Sequence, residues 1–442
     1  MNKKENNYCN VFVLYSIIGF RNIICCMKKV VVLFIIAVAS IFVFSCQKEQ
    51  NAPGSKTNIV VLPSGGDAVV QANNTFAFSF LRAMLQQDAE NNNKLISPLS
   101  IYLALSMVYN GADNATKDSI AHALQLSGLN INTLNEVCQS LITQLPGEDS
   151  RVDFFIANSI WYNKNSYQPL PSFLTTVQNY YEASMQPTDF DDPFTVNTIN
   201  SWGADQTHNK IKKIIDAVSP GDLMYLINAI YFKGAWQTKF PSSNTHDDVF
   251  YAAGGAVTVP FMTNEMVAHL YADSLFRLVE LPYGGGNSYS MYIALPVSEQ
   301  MSANSLAAVI TETMLTNAIH NMGSNEVKLT IPKWEYSYSI DNMQPALSLL
   351  GMDNAFTDSA DFSKAYNSSQ VKPQITKAVH KTYIKVDEEG TEAVAVTEIG
   401  FGVTDISIPY PFVIDHPFLY AIIEKQTGAI LFTGILNTPK TE

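Results

Sequence analysis

The chain has 442 residues, of which 47% are hydrophobic and 15% charged, with a formal net charge of −13. That length and apolar content give a folded globular chain with a large core. The acidic balance argues against a nucleic-acid or polyanion partner.

The chain begins with targeting sequence. Lys28 and Lys29 precede the apolar run from Val30 to Phe44, which stops at Ser45-Cys46. A basic front, an apolar middle and a small residue before the cut make a secretory signal. A Cys at the cut resembles a bacterial lipoprotein signal, with Cys46 as the lipidation site, although Phe44 departs from the usual small residue. Gln47-Lys48-Glu49 resembles export signals on surface lipoproteins of some Gram-negative bacteria. Met27 looks like the natural start, with residues 1–26 either an upstream reading artefact or a longer signal. A transmembrane anchor is disfavoured by the Ser-Cys end and the polar tail. The expectation is an exported lipoprotein at the outer membrane or cell surface, facing outward and touching membrane only through its lipid.

Residues 47–66 are rich in Gln, Asn, Pro, Ser and Gly and read as a flexible tether. No later linker and no internal repeat is visible, so 67–442 reads as one domain. Phe76, Phe80, Leu81, Met84 and Leu85 recur at helical spacing. In ISPLSIYLALSMVYNGA, Ser97 suits a helix cap, Pro98 the first turn and Gly111 the end. Cys138 lies in the helical stretch LNEVCQSLITQL. Of five cysteines (Cys9, Cys25, Cys26, Cys46, Cys138) only the last two remain beyond the proposed cut, so no disulfide framework is expected. Cys138 reads as a small core residue rather than a nucleophile.

RVDFFIANSIWY and LMYLINAIYF read as strands covered on both faces. INSWGADQTHNKIKKII between them reads as helical, with Lys210, Lys212 and Lys213 on its solvated end. FRLVELPY, YSMYIALP and VKLTIPKWEY are further strands. FLYAIIE and AILFTGIL flank Lys425-Gln426-Thr427-Gly428, a hairpin signal. Helices dominate early and strands late, which favours an α+β fold with several sheets.

Sites for chemistry are missing. His122, His208, His246, His269, His320, His380 and His416 make no metal-ligand spacing such as HExxH, and CxxC is absent. Gly284-Gly285-Gly286 lies between two strands, so it reads as a hairpin turn rather than a phosphate loop. No GxSxG elbow appears. No catalytic residue, metal or cofactor is expected, and the chain reads as a non-enzyme.

Seven stretches in order resemble the serpin family of protease inhibitors. They are NKLISPLSIYLALSMVYNGADNATKDSIAHALQL, INSWGADQTHNKIKKII, LINAIYFKGAW, VELPYGGGNSYSMYIALP, GMDNAFTDSADFS, KAVHKTYIKVDEEGTEAVAVT and DHPFLYAIIEKQTGAILFTG. The resemblance implies a monomeric, metastable fold of three β-sheets and about nine helices, with an exposed reactive-centre loop over about 388–410. It implies a suicide substrate. A protease cuts the loop, forms an acyl-enzyme, and is dragged away as the cut loop inserts into the central sheet. Some fifteen residues at ~3.3 Å each carry the cut end about 50 Å.

The resemblance gives individual residues roles. Glu388, Glu389, Gly390, Thr391, Glu392, Ala393, Val394, Ala395, Val396 and Thr397 match the hinge. Thr391, Ala393, Ala395 and Thr397 share one parity and are all small, as a face bound for the core requires. Ser97, Ser100, Asn228 and His380 match a polar cluster beneath the sheet that opens. Trp236 and Glu388 match the zone where the loop first enters. For the scissile bond, counting forward from the hinge gives Thr404-Asp405 and counting back from DHPF gives Ile406-Ser407. The second is preferred, since Ser-Ile-Pro after the cut resembles inhibitory serpins. Val403, Thr404 and Ile406 suit the shallow apolar pocket of elastase-like serine proteases. Papain-like cysteine proteases remain an alternative through Phe401 or Val403. A non-inhibitory binding or structural module is the rival function.

Overall fold

The computed structural model describes residues 58–88, 90–286, 288–298, 301–391 and 409–440. The signal region with Cys46, hinge residues Glu392 to Thr397, and Phe401, Val403, Thr404, Asp405, Ile406 and Ser407 lie outside them. The described residues fall within one compact unit, Ser55–Glu442.

The chain opens with α1 (Gly66–Gln87), which buries Phe76, Phe80, Leu81 and Met84 along one stripe. After β1 (Lys94–Ile96) comes α2 (Pro98–Gly111). Ser97 caps α2, its Oγ accepting the Ser100 N–H, and Pro98 fills the first turn where no amide partner is needed. Helices α3 (Asn114–Ala123) and α4 (Ile131–Gln144) follow. Cys138 on α4 is fully buried, and burial pushes its thiol up to about 12, so it is a packing residue. Next come β2 (Val152–Asn163), α5 (Pro171–Tyr181), β3 (Ser184–Thr188), α6 (Thr195–Gln206) and β4 (Met224–Ala235). The later part is mainly strand: β5 (His246–Ala252), β6 (Gly255–Ala272), β7 (Phe276–Pro282) and β8 (Tyr289–Pro296). Helices α7 (Ala303–Val309) and α8 (Glu312–His320) lead to β9 (Gly323–Pro332), β10 (Trp334–Ile340) and α9 (Gln344–Leu349). The chain closes with β11 (His380–Asp387), β12 (Gly390–Thr391), β13 (Tyr410–Val413), β14 (Phe418–Glu424) and β15 (Ile430–Leu436).

Two hydrogen-bonded sheets result among the described residues. One runs β1-β15-β14-β8-β7-β6-β9-β13, with β5 also on β6. Two of the three expected sheets run together here because β6 is 18 residues long. It pairs with β5 at its start, with β9 along its length and with β7 at its end. The second sheet runs β10-β11-β12-β4-β2-β3 and carries the hinge. Gly284 and Gly286 have positive φ in the β7–β8 hairpin, and Gly428 in the β14–β15 hairpin.

Three expectations change. Helix α6 stops at Gln206, so THNKIKKII is an extended connector and not its continuation. The reason is local: His208 and Asn209 are both left-handed, at φ 49° and 64°. Its lysines are accordingly not on a helix end; Lys213 pairs with Asp216 at 2.6 Å. Strand β2 is not covered on both faces, since Phe155 remains 44% exposed on the outer face.

The tether is docked from Asn58 onward. Val61 N–H donates to Gln144 Oε1 at 2.8 Å, and Gln144 Nε2 returns a bond to Val61 O at 3.0 Å. Val60 N–H donates to Gln426 Oε1 at 3.0 Å. Asn58 N–H reaches the Glu148 carbonyl at 2.9 Å. Two glutamines thus replace the ladder partners this short extended stretch lacks. Replacing both Gln144 and Gln426 by Ala removes bonds worth about 1 kcal/mol each. Hydrogen exchange at the Val60 and Val61 amides should then quicken by roughly three- to tenfold, with the core amides of β14 unchanged.

Candidate functional site

The second sheet is held together by a two-residue strand. Thr391 pairs with Val386 of β11 and with Gly234 of β4, and Gly390 with Asp387 and Ala235. Among the described residues β4 and β11 share no ladder pair with each other. Below Thr391 no described residue pairs with β4 or β11 on the edges that face each other.

Gly390 is required here. Its φ is 150°, and a Cβ would stand 2.1 Å from the Gly234 carbonyl oxygen. Gly234 is equally constrained, since a Cβ there would meet the Tyr283 ring at 2.8 Å. Thr391 is 3% exposed and points into the core, where its Oγ1 hydrogen-bonds the Tyr283 hydroxyl at 2.6 Å.

The turn before it is anchored on all sides. Trp236 stacks on Tyr283 with centroids 4.5 Å apart, and its indole N–H donates to the Asp387 carbonyl at 2.9 Å. The Trp236 and Phe240 amides donate to the Glu389 and Glu388 carbonyls at 2.8 and 3.0 Å. Glu388 accepts from Lys333 Nζ at 2.7 Å and Thr245 Oγ1 at 2.8 Å. Burial works to raise the Glu388 carboxyl. The bonds from Lys333, its own amide and Thr245 outweigh that and hold it below the ordinary glutamate value. Glu389 pairs with Lys239. Trp236 therefore bonds the residues on either side of Glu388 at the top of the sheet, and Glu388 itself is held by Phe240, Lys333 and Thr245. The pattern reading missed Tyr283, Gly234, Lys239, Thr245 and Lys333. Tyr283 and Gly234 lie inside the matched stretches VELPYGGG and AIYFKGAW, but nothing in their type marks a role.

The polar cluster is split across the slot. On the β11 side, Ser97 N–H donates to His380 Nε2 at 3.0 Å, and Ser97 Oγ donates to the Leu431 carbonyl at 2.7 Å. Ser100 joins through its amide. On the β4 side, Asn228 Nδ2 donates to Asn158 Oδ1 at 2.8 Å, and Asn158 Nδ2 to the Tyr181 carbonyl at 2.7 Å. Asn158, unforeseen, is the true partner of Asn228. Asn228 Oδ1 is buried without a hydrogen-bond partner. His380 accepts at Nε2, so its neutral ring carries the proton on Nδ1. Asn228 and His380 both line a cavity of about 480 Å³, floored by α2 residues such as Ile101 and Leu105.

Burial lowers the His380 pKa to about 3. Its folded value is below the unfolded 6.5, so the unfolded chain gains the proton first. Its contribution to stability therefore falls as pH drops from 6.5 towards 3, by up to about 1.4 kcal/mol per unit. Glu148 acts oppositely: burial first, and the Glu424 carboxylate second, raise it to about 7. Its contribution falls as pH rises from 4.5 to 7. Between pH 4.5 and 6.5 the two slopes oppose each other. His380→Gln removes one of them. In urea titrations the variant should lose stability more steeply than the parent as pH rises through that window.

The comparisons with known proteins follow this geometry. Residues 71–439 match the family model "Serpin (serine protease inhibitor)". An uncharacterized serpin-like protein of Thermococcus kodakarensis is 31% identical, covering 87% of this chain and 89% of its own. The crystal structure of the thermophilic serpin tengpin in its native state is 33% identical with a TM-score of 0.78, covering 87% of this chain and 97% of its own. Thyroxine-binding globulin in complex with thyroxine is 27% identical with a TM-score of 0.75, covering 85% of this chain and all of its own. With its hinge glycine wedged between β4 and β11 and this likeness along nearly its whole length, the chain belongs to the serpin family, the serine protease inhibitors.

Proposed function

We propose that this chain inhibits proteases as a suicide substrate and that the slot beneath Thr391 receives its cut loop. The observation that carries this is Gly390-Thr391, already paired on both sides at the top of that slot. Continuing both ladders fixes a register. Ala393 would stand between Phe232 and Ile384, Ala395 between Ile230 and Thr382, and Thr397 between Asn228 and His380. All six flanking residues but Asn228 are buried, on the Thr391 side of the sheet. Thr397 would bring a hydroxyl that donates to the orphan Asn228 Oδ1 and accepts from His380 Nδ1–H. The opposite parity would face outward, with Glu392 between Lys233 and Lys385. Ten or more new ladder bonds, at about 1 kcal/mol each, make the uncut form metastable.

The bond attacked is Ile406-Ser407, with Thr404-Asp405 as the alternative, and the target is an elastase-like serine protease. The protein works as a monomer at the outer membrane or cell surface, tethered by lipid on Cys46. An SDS-stable complex with pancreatic elastase tests the inhibitory reading. Clean cleavage without a complex, across serine and papain-like cysteine proteases, sinks it. The likeness to thyroxine-binding globulin favours a second reading, a non-inhibitory binding module. That reading expects cleavage to leave the melting temperature unchanged, where insertion raises it.

Ala395→Arg should turn the inhibitor into a substrate. On the uncut loop the added Arg changes stability by less than about 0.5 kcal/mol. During insertion it must enter the core between Ile230 and Thr382, where an unpaired charge is expensive. Val394→Arg, facing outward, is the control. Stoichiometry titrations should show several-fold more inhibitor consumed per elastase for Ala395→Arg alone. Equal values for the two variants would refute the assigned parity.

A further inference from the structure

The Glu148 carboxyl lies where the extended arm at Asn58–Val61 meets the body. Glu148 sits in the loop between α4 and β2 and is fully buried, and its Oε2 has no hydrogen-bond partner. Its Oε1 accepts from Gln426 Nε2 at 3.2 Å. Gln426, in the β14–β15 turn, serves the arm with its other atom: Gln426 Oε1 accepts the Val60 N–H at 3.0 Å. Asn58 closes the circuit. Its N–H donates to the Glu148 carbonyl at 2.9 Å, and its Nδ2 donates to the Gly147 carbonyl at 3.0 Å. One glutamine and one loop thus join the arm to a buried carboxyl.

The charged groups that act on this carboxyl are acids. Glu424 comes from the end of β14 and Asp149 from the same loop. Glu424 is fully buried and committed to its own turn, accepting from the Gln426 and Thr427 amides and the Thr427 hydroxyl. Asp149 Oδ2 accepts the Gly285 N–H at 2.6 Å, and its Oδ1 the Arg151 N–H at 2.9 Å. Lys425 follows Glu424 in the chain, but its Nζ bonds Glu280 at 2.6 Å. The β8 side brings two hydroxyls towards Glu148. Tyr289 donates its own to the Leu145 carbonyl at 2.7 Å, whereas Ser288 Oγ is buried without a partner. A protonated Glu148 can donate to that oxygen. An ionised Glu148 sets a second buried negative charge beside Glu424, at a large desolvation cost.

We propose that a proton on Glu148 clasps the arm to the body, and that losing it lets Asn58–Val61 lift away. The clasp does not depend on the inhibitory reading. With the arm docked, burial first and Glu424 second hold the carboxyl at about 7. Lifting the arm admits water and returns it towards the ordinary 4.5. The docked value is the higher one, so docking is tightest below 4.5, weakens as pH rises to 7 and levels off above it. One proton per opening limits the change to about tenfold per pH unit. Amide hydrogen exchange on the full chain at pH 5.5 and 6.5, corrected for intrinsic exchange rates, reads this directly. Protection at Val60 and Val61 should fall about three- to tenfold between the two. In Glu148→Gln, which keeps an acceptor for Gln426 without a charge, it should stay level. Low urea separates this local opening from global unfolding: it should leave the Val60 and Val61 rates unchanged while quickening Ile422 on β14. Equal falls in parent and Glu148→Gln, level protection in the parent, or arm rates that follow urea as Ile422 does would each overturn the clasp.

Discussion

Gly390 and Thr391 make the only strand-ladder link, among the described residues, between the β10–β11 and β4–β2–β3 halves of the second sheet. The proposed inhibitory mechanism depends on that wedge. Adjacent strands lie ~4.8 Å apart, so a strand inserted between two others holds them about 10 Å apart. At that distance β4 and β11 cannot hydrogen-bond each other near the wedge. The wedge is stable because its turn is pinned by Lys333, Thr245, Lys239 and the Trp236 indole, and because no side chain obstructs Gly390. On the proposed mechanism, a hinge built this way would commit the chain to one register before any protease arrives.

The buried polar groups beneath the slot fit a sheet that has already parted. Ser97, Ser100 and His380 satisfy one another on the β11 bank, and Asn228 leans on Asn158 on the β4 bank. No hydrogen bond joins Asn228 to His380, so widening the slot breaks none between them. Keeping His380 neutral avoids the large penalty of a buried charge. Among the described residues, Asn228 Oδ1 on the β4 bank stays unsatisfied, at a modest cost.

Much of this was legible in the chain because its signals are local. Ser97-Pro98 and Gly111 bracket α2, Lys425-Gln426-Thr427-Gly428 between two apolar runs announces the C-terminal hairpin, and the small parity of the hinge has a direct steric meaning. The rest failed where long-range contacts decide. Composition makes residues 58–62 look like a tether, yet Gln144 and Gln426 hold them from 83 and 366 positions away. The Ile and Lys spacing after Gln206 imitates a helix. Rings on β2 and β4 hold the left-handed pair instead, with no glycine to announce the break. Asn158 and Lys333 carry no mark of their role, because each depends on what the fold brings beside it.

In the proposed mechanism the two parities of the inserting strand would meet different limits. In the continued register the Thr391 parity would pass between Phe232 and Ile384, both buried, so a close-packed core would limit volume there. The other parity would face outward, with Lys233 and Lys385 flanking the Glu392 position. That difference fits the sequence: Thr391, Ala393, Ala395 and Thr397 are all small, while Glu392, Val394 and Val396 are larger. On the proposed mechanism insertion would compete with hydrolysis of the acyl-enzyme, so bulk on the buried parity would lose that race for the inhibitor.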